Sequence, residues 1–397
     1  MEYKYLIFVE GDTNHNKFYE MVPNGDSGFT VRYGRVGAKT SECTYGASDF
    51  DKKLREKLKK GYKDVTDLHK KTTSTKWLDE KDPLCQDLVV FLLSVARQKI
   101  AENYDCEAEA LTQEMVDKAQ ACLGAIKSGM SISEFNAKLE ELFQILPRKM
   151  KSVSDWLAKP NADVADLQDI LDREQDLLDT LAGQVKANSV MKKASDDGKQ
   201  TTVLGAFNTT IRIATDDEKK IVYDKLGSYK NQVYQIYAVS NENTNKKFDA
   251  WKGNSTHTDL LWHGSRTENW LSITATGLCL KPNAITTGHM FGYGIYFAPS
   301  PSKSAGYTDQ LGSRWANGHG GRAFLGLFEV HTGKNYKVKD HTHECSYMDL
   351  SKLHAKGNYD CLWADSSHGM LRADEVIVYD DSQATIRYLV ELNKNIL

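Results

Sequence analysis

The chain has 397 residues and a formal net charge of -3, with 40% hydrophobic and 26% charged residues. This length allows two or three domains with their own cores, and the near-neutral charge excludes a general attraction to polyanions, so any nucleic-acid contact must come from a local patch. The sequence has no apolar run long enough to span a bilayer, no secretory signal features and seven cysteines without a C-x-x-C pair, which predicts a soluble intracellular protein that makes no membrane contact.

The first 75 residues predict short strands and turns that end in a basic helix. Tyr5 to Val9 reads as a strand, Phe29 to Tyr33 alternates, and "RYGRVG" (Arg32 to Gly37) predicts a glycine turn. A positive stripe on the following helix is typical of a solvated helix face, but the glycine turn with its arginine and aromatic residue favours a phosphate-binding surface. The stripe comprises Lys52, Lys53, Arg55, Lys57, Lys59, Lys60 and Lys63.

Residues 82 to 183 predict a helical bundle. Asp82 and Pro83 have the order of an N-cap followed by a proline in the first turn, and Ser131 with Glu134 forms a capping-box pattern. Apolar residues recur at helical spacing and predict a bundle core, so the segment by itself indicates no activity. The last helix also carries many acidic residues.

A polar stretch from Gln184 to about Thr201 predicts a linker, and strands and turns follow to the end of the chain. Within that last part, "FGYGIYFAPSPSKSAGY" (Phe291 to Tyr307) has spaced glycines but fits neither a P-loop nor a dinucleotide-binding turn. A buried strand over Gly294 to Ala298 explains its apolar residues but not its polar, aromatic tail. The segment His341-Thr-His343-Glu-Cys345 lacks a second ligand cluster, which predicts a polar loop and no metal site.

Three motifs in the last part, "LLWHGSR", "MFGYGIYFAPSPSKSAGY" and "DEVIVYDDSQATIRYL", resemble the catalytic domain of the poly(ADP-ribose) polymerase family. "RYGRVG" resembles the core of the WGR domain of that family, and "LTQEMVDKAQACLGAIKSG" and "ELFQILPRK" resemble its regulatory helical domain. The resemblance implies a multidomain α+β protein with a small β-rich WGR domain, an all-α helical bundle and a mixed α/β catalytic domain with split antiparallel sheets. The implied boundaries are 1–78 for DNA binding, 82–185 for autoinhibitory regulation and 200–397 for catalysis.

The resemblance also implies that NAD is the substrate, with cleavage of its nicotinamide–ribose bond through an oxocarbenium-like sugar and no metal. Glu375 would bind the ribose and act as general base toward the acceptor, with Lys303 beside it, and His263 and Tyr296 complete the catalytic set. The remaining implied contacts are Gly264 and Ser304 with the nicotinamide carboxamide, Tyr307 and Tyr296 with the two faces of its ring, His263 and Ser265 with the adenosine half, and Tyr33, Arg35 and Lys39 with DNA.

The implied function is a DNA-break-activated ADP-ribosyltransferase that modifies proteins, itself included, and that is nuclear if the source is eukaryotic. Tyr33 stands where the WGR motif has tryptophan, Cys279 lies where the family often places an arginine, and the stretch from Tyr359 to Glu375 is shorter than in long polymerising members. Polymer and single ADP-ribose products therefore both stay open. The alternatives are an NAD glycohydrolase and a catalytically silent DNA-end-binding protein.

The order of the three segments further suggests a regulatory hypothesis. The helical bundle would block the NAD site, with Asp169, Asp172 and Asp176 repelling the phosphates of the dinucleotide. DNA ends bound by the first segment, with Arg35 bridging the modules, would release this block.

Overall fold

The computed structural model describes residues 1–69, 77–126, 129–197, 201–280, 290–308, 321–369 and 371–393. Its strands are β1 (Lys4–Glu10), β2 (His15–Pro23), β3 (Gly28–Arg35), β4 (Thr40–Gly46), β5 (Lys63–Asp64), β6 (Thr209–Ile213), β7 (Val233–Asn241), β8 (Thr258–Gly264), β9 (Ile295–Phe297), β10 (Ala323–His331), β11 (Asn335–Val338), β12 (Cys361–Ala364), β13 (Glu375–Val378) and β14 (Ala384–Leu392). Its α-helices are α1 (Phe50–Lys59), α2 (Pro83–Asn103), α3 (Gln113–Gly124), α4 (Ile132–Ile145), α5 (Val164–Asp196), α6 (Val203–Ala206), α7 (Asp216–Leu226), α8 (Glu242–Ala250), α9 (Trp270–Thr276), α10 (Pro301–Ala305) and α11 (Leu350–Gly357).

The chain forms two compact units. The described parts of Met1–Ser74 and Arg97–Val185 make the first unit, and those of Thr75–Ala96 and the chain from Lys186 onward make most of the second. The predicted multidomain α+β class is confirmed, while the functional domain boundaries stay a prediction. In the described residues no helix is long and apolar enough to cross a membrane.

The first unit contains an antiparallel sheet in the order β4-β3-β2-β1-β5. Side chains alternate along β1, so Leu6 packs in a small core with Phe50 of α1, whereas Ile7 and Val9 pack in the helical core of the same unit. Strand β1 is therefore buried on both faces, which explains why its middle reads as a nearly continuous apolar run.

Two helices begin as their capping residues predict. In the second unit, the Asp82 carboxylate accepts hydrogen bonds from the backbone of Leu84 and Cys85 at the start of α2, and in the first unit Ser131 and Glu134 form a complete capping box at the start of α4. Within the helical part of the first unit, Arg148 and Glu174 form an ion pair in which both side chains are at most 1% exposed. The Arg148 guanidinium carbon lies 4.2 Å from the centre of the Tyr104 ring, so the cation is held by an aromatic face as well as a carboxylate.

The second unit has two sheets, ordered β6-β7-β14-β10-β8 and β11-β12-β13-β9. All neighbouring strands are antiparallel except β11 and β12, which are parallel. A single bridge between Trp262 and Ala298 joins the end of β8 to the end of β9, so the two sheets meet where these strands finish. Strands β8, β9 and β13 carry His263, Tyr296 and Glu375, three of the four residues that the sequence predicts to be catalytic, and the fourth, Lys303, lies in α10.

Parts of α2 and α5 belong to the core of this second unit. Leu88 and Leu92 of α2 and Met191 of α5 are buried in the same apolar cluster as Phe324 and Phe328 of β10. The sequence predicts a linker over 184–201, and this is wrong for its first part, because α5 continues to Asp196. The apolar positions Ala187 and Met191 are buried there, and this tertiary burial outweighs the polar composition of the segment.

An arginine fixes α2 to strand β14 of the five-stranded sheet in the second unit. The Arg322 guanidinium donates two hydrogen bonds to Glu391 of β14, at 2.6 and 2.7 Å, and a third to Asp87 of α2 at 2.8 Å. Its guanidinium carbon also lies 4.5 Å from the centre of the Phe91 ring. This bidentate and stacked arrangement depends on the planar guanidinium, which a lysine would not provide.

Candidate active site and nucleic-acid interface

Three strands bring His263, Tyr296 and Glu375 into one region of the second unit. His263 is the penultimate residue of β8, Tyr296 is the central residue of β9, and Glu375 begins β13. Tyr296 lies opposite Ile377 in the antiparallel pair of β9 and β13. Because side chains two residues apart share a face, Glu375 and Tyr296 lie on the same face of that sheet.

Glu375 and Lys303 form a close ion pair. The Lys303 ammonium nitrogen lies 2.5 Å from Glu375 Oε1, and the carboxylate side chain is only 9% exposed. Burial by itself would lower the pKa of Lys303, but the hydrogen bond and charge of Glu375 outweigh it and raise that pKa above its ordinary value. The ammonium thus stays charged at neutral pH beside a buried carboxylate, an arrangement that can orient the carboxylate toward a substrate hydroxyl.

The hydroxyl group of Tyr296 is held by the turn that precedes its strand. It accepts a hydrogen bond from the Phe291 amide at 3.1 Å and donates one to the Gly292 carbonyl at 2.9 Å. Burial raises the pKa of Tyr296, so the group remains a phenol at neutral pH. Its ring, rather than an ionised oxygen, is therefore the part available for catalysis or binding.

The imidazole of His263 has a defined orientation. Its Nδ1 lies 2.9 Å from the Tyr296 carbonyl, which can only accept, so Nδ1 carries the proton. The ring also meets Trp270, Phe297 and Phe328 edge-on. Nε2 therefore lies on the side of the ring away from the Tyr296 backbone.

Gly264 and Ser304 are in direct backbone contact. A Cβ atom on Gly264 would lie 1.8 Å from the Ser304 carbonyl oxygen, so only glycine permits this approach. Ser304 is 4% exposed within α10, whereas Tyr307, just beyond that helix, is 56% exposed. The arrangement places a strand backbone and a buried hydroxyl side by side, followed by an accessible aromatic ring.

Ser265 continues the chain from this contact. Its hydroxyl accepts a hydrogen bond from Asn269 at 3.1 Å, and its carbonyl accepts one from the Trp270 indole at 3.3 Å. Asn269 and Trp270 were not among the residues predicted from the sequence. Their role in holding Ser265 depends on the start of α9, and the "WHGSR" pattern gives no signal for it.

A second candidate site lies in the first unit. A cavity of about 500 Å³ opens beside the sheet, and Tyr33 and Arg35, both predicted to bind DNA, line it. Lys39 is exposed but is not among the lining residues. The cavity is lined by Asn14, Asn16, Lys17, Phe18, Tyr33, Gly34, Arg35, Lys57 and Tyr62.

Lys57 is the member of the predicted basic stripe that reaches this cavity. Its ammonium lies 4.1 Å from the centre of the Tyr19 ring and 5.0 Å from that of Tyr62. Burial, together with the nearby positive charges of Lys60, Lys53 and Lys17, lowers the pKa of Lys57. A bound anion would relieve this repulsion, so the cavity has the electrostatics of an anion site.

Two asparagines link the wall of the cavity to the helical part of the same unit. Arg35 donates to the backbone and side-chain oxygens of Asn14 at 2.6 and 2.9 Å, and the same side-chain oxygen accepts from the Val153 amide at 2.8 Å. Asn16 donates to the Arg148 carbonyl at 2.9 Å. These asparagines escaped the sequence analysis because their partners lie more than 130 residues away along the chain.

The acidic helix presents less charge than its sequence suggests. Asp169 is exposed, but Asp176 is half-buried and Asp172 is buried and accepts a hydrogen bond from Gln168. Among the described residues no group of three or more histidine, cysteine, aspartate or glutamate side chains is placed to hold a metal ion.

Comparison with known proteins matches two parts of the chain to protein families. Residues 3–69 match the WGR domain, and residues 216–394 match the poly(ADP-ribose) polymerase catalytic domain. The chain is 24% identical to poly [ADP-ribose] polymerase 1 of Gallus gallus over 428 aligned residues, which covers 97% of this chain and 38% of that protein.

Two further relatives cover the catalytic part. The chain is 37% identical to human poly [ADP-ribose] polymerase 2 over 162 residues, which is 35% of this chain and 27% of the human protein. It is 27% identical to uncharacterized protein 101L of Invertebrate iridescent virus 6 over 191 residues, or 47% of this chain and 80% of the viral protein. The chain thus spans well under half of the named polymerases it resembles.

Proposed function

Because the chain belongs to the poly(ADP-ribose) polymerase family, with a WGR domain ahead of the catalytic domain, we propose that it transfers ADP-ribose from NAD to proteins, itself included. We assign DNA binding to residues 1–78, regulation to 82–185 and catalysis to 200–397. The observation that carries the proposal is the ion pair of Glu375 with Lys303, on the same sheet face as Tyr296.

The nicotinamide half of NAD would bind where Gly264 meets Ser304. The carboxamide needs an acceptor and a donor, which the Gly264 backbone and the Ser304 hydroxyl supply. The exposed Tyr307 ring would stack on one face of the nicotinamide and the Tyr296 ring would line the other. Nicotinamide leaves as a neutral base, so this grip orients the scissile bond without a general acid.

The bond that breaks joins nicotinamide to ribose and leaves positive charge on the sugar. The Glu375 carboxylate would hydrogen-bond the ribose, stabilise that charge and accept the proton of the attacking acceptor hydroxyl. Lys303 would hold Glu375 in place on the acceptor side. His263, through Nε2, and Ser265 would bind the adenosine half.

The proposal is tested by incubating the purified protein with labelled NAD and running the products on a denaturing gel. Wild-type protein should become labelled, and Glu375→Gln should lose at least about 100-fold of this label because the base and its charge are gone. Glu329→Gln is the matched control, since Glu329 is also an ion-paired carboxylate, with Arg387, but lies in β10.

The form of the product distinguishes the finer possibilities. A ladder or smear in the wild type indicates polymer, and a single sharp band indicates mono-ADP-ribose. Free ADP-ribose without labelled protein would identify an NAD glycohydrolase. Absence of both products, with DNA binding retained, would identify a silent DNA-end-binding protein and refute the transferase assignment.

We further propose that DNA strand-break ends activate the enzyme through the WGR domain. The cavity with Tyr33, Arg35 and Lys57 offers cationic groups and an aromatic face, which suit a terminal nucleotide, and Lys39 lies on the neighbouring surface. A blunt 5'-phosphorylated duplex should raise labelling, and an unphosphorylated or circular DNA of equal mass should raise it less. Equal stimulation by circular DNA would argue against recognition of ends. In a eukaryotic source this function would place the protein in the nucleus.

Autoinhibition by the helical segment has a direct test in the compact second unit. The test uses a fragment in which a flexible linker joins residues 77–96 to residues 186–397. This fragment keeps Leu88, Leu92 and Met191 in its core, whereas a fragment that begins at residue 200 would lack them. This fragment should label proteins without DNA at least as fast as the full chain does with DNA. If the fragment folds and binds NAD but labels proteins only as slowly as the full chain does in the absence of DNA, the helical segment does not block the NAD site.

A further inference from the structure

Tyr379 lies directly after β13 and is buried, with 7% of its surface exposed. Its hydroxyl donates a short hydrogen bond to the carbonyl of Phe291. Phe291 is itself fully buried and belongs to the turn that leads into β9. The side chain that directly follows the strand of Glu375 therefore holds the backbone of the turn before β9.

The same loop holds the Tyr296 hydroxyl. The amide of Phe291 donates to Tyr296 Oη, which in turn donates to the Gly292 carbonyl. The Phe291 carbonyl thus accepts a hydrogen bond from Tyr379, and the Phe291 amide donates one to Tyr296. A shift of this residue would move the tyrosine hydroxyl with it.

The strand register places these groups in a row. Glu375, Ile377 and Tyr379 are spaced two residues apart, so their side chains share a face of the strand, and Tyr296 lies opposite Ile377. Gly294 lies against that row, since a Cβ atom there would be 2.2 Å from Ile377 Cγ2 and 3.0 Å from Tyr379 Cε1. The glycine lets the loop rest directly on the Tyr379 ring.

We propose that Tyr379 is a positioning residue for nicotinamide recognition, acting through Phe291 on the ring of Tyr296. This inference rests on the proposed function, in which the Tyr296 ring forms one wall of the nicotinamide site. A ring wall contributes only when it is held at contact distance from the ligand, so the loop that anchors its hydroxyl sets the affinity.

The test compares Tyr379→Phe with wild type for binding of benzamide, which carries the carboxamide and aromatic ring of nicotinamide, and for NAD turnover. We expect the benzamide Kd and the KM for NAD to rise about tenfold, with kcat within about twofold, because the loss falls on ground-state binding. Tyr237→Phe is the control, since Tyr237 is a buried tyrosine of β7 whose hydroxyl donates to Glu391. It should lower the Tm without changing the benzamide Kd.

A double-mutant cycle with Tyr296→Phe separates positioning from general loss of stability. If Tyr379 acts through Phe291 on Tyr296, the two losses are not additive, and the variant with both Tyr379→Phe and Tyr296→Phe has about the same benzamide Kd as whichever single variant binds benzamide more weakly. Additive losses, or wild-type affinity in Tyr379→Phe, would overturn the inference and leave the proposed function intact. Failure of the wild type to bind benzamide or cleave NAD would overturn both.

Discussion

Gly264→Ala should strongly reduce catalysis with only a moderate loss of stability. The added Cβ would lie 1.8 Å from the Ser304 carbonyl oxygen and 2.7 Å from its carbon, whereas real Cβ atoms essentially never come within 3.0 Å of another heavy atom. The β8 end and α10 must therefore separate by more than an ångström. Overpacking of this kind costs about 1–3 kcal/mol of unfolding free energy.

The effect on activity should be larger, because the displaced groups are the proposed carboxamide partners. A misplacement of about 1 Å can cost about 100-fold in rate, so kcat/KM for NAD should fall by about 100-fold or more. The matched control is Gly306→Ala, since among the residues that the structure describes a Cβ at Gly306 would meet only the Lys303 carbonyl oxygen, at 3.4 Å. That variant should keep both activity and stability.

Urea unfolding and initial rates with labelled NAD measure the two effects separately. An active Gly264→Ala enzyme, with kcat/KM within about threefold of wild type, would refute the assignment of this contact to the nicotinamide site. Equal loss of activity in Gly306→Ala would show that any added methyl group here is harmful, and would refute the specific geometric reasoning.

Three further outcomes follow from single side chains. Arg148→Met leaves the fully buried Glu174 without its main cation and should lower the free energy of unfolding in urea by about 3–5 kcal/mol. The double variant Arg148→Met, Glu174→Leu should recover part of this loss, and a small effect of the single change would contradict the buried pair. The hydrogen bond from Arg212 is the main cause that lowers the pKa of Glu218 to about 2 from an ordinary value of 4.5, so this carboxylate stabilises the fold fully above about pH 4.5 and the contribution is lost as the pH falls through 2. Glu218→Gln should therefore make the Tm less dependent on pH between about 4.5 and 2, and an unchanged plot of Tm against pH would count against the pair. Lys57→Met should weaken duplex binding and reduce the slope of log K against log salt by about 1, whereas Lys230→Met should not, and equal slopes would exclude Lys57 from the interface.

Local signals in the sequence predict local features of the fold correctly. The caps at Asp82 and Ser131 and the strand that carries Tyr296 are each specified within a few residues, by side-chain acceptors or by a short apolar run. The helix through residues 186–196 was missed because burial of Met191 depends on residues of β10, far along the chain.

The same distinction applies to the candidate sites. The motifs predict His263, Lys303 and Glu375 as site residues, and the structure adds the 2.5 Å ion pair of Lys303 with Glu375. The roles of Asn14 and Tyr379 could not be predicted, because their partners, Val153 and Phe291, come from distant segments and no short motif records the pairing. Long-range hydrogen bonds of this kind are set by topology, which periodicity does not reveal.

The attachment of α2 to the catalytic sheet has a consequence for synthesis on the ribosome. Asp87 and its partner Arg322 are 235 residues apart, so the apolar face of α2 leaves the ribosome long before β10 and β14 exist to cover it. At roughly 5–20 residues per second this interval lasts about ten seconds or more, during which Leu88 and Leu92 have no native partner in the sheet. The nascent chain therefore exposes an apolar helix face early, and the core of the second unit can close only after β10 and β14 have been synthesised.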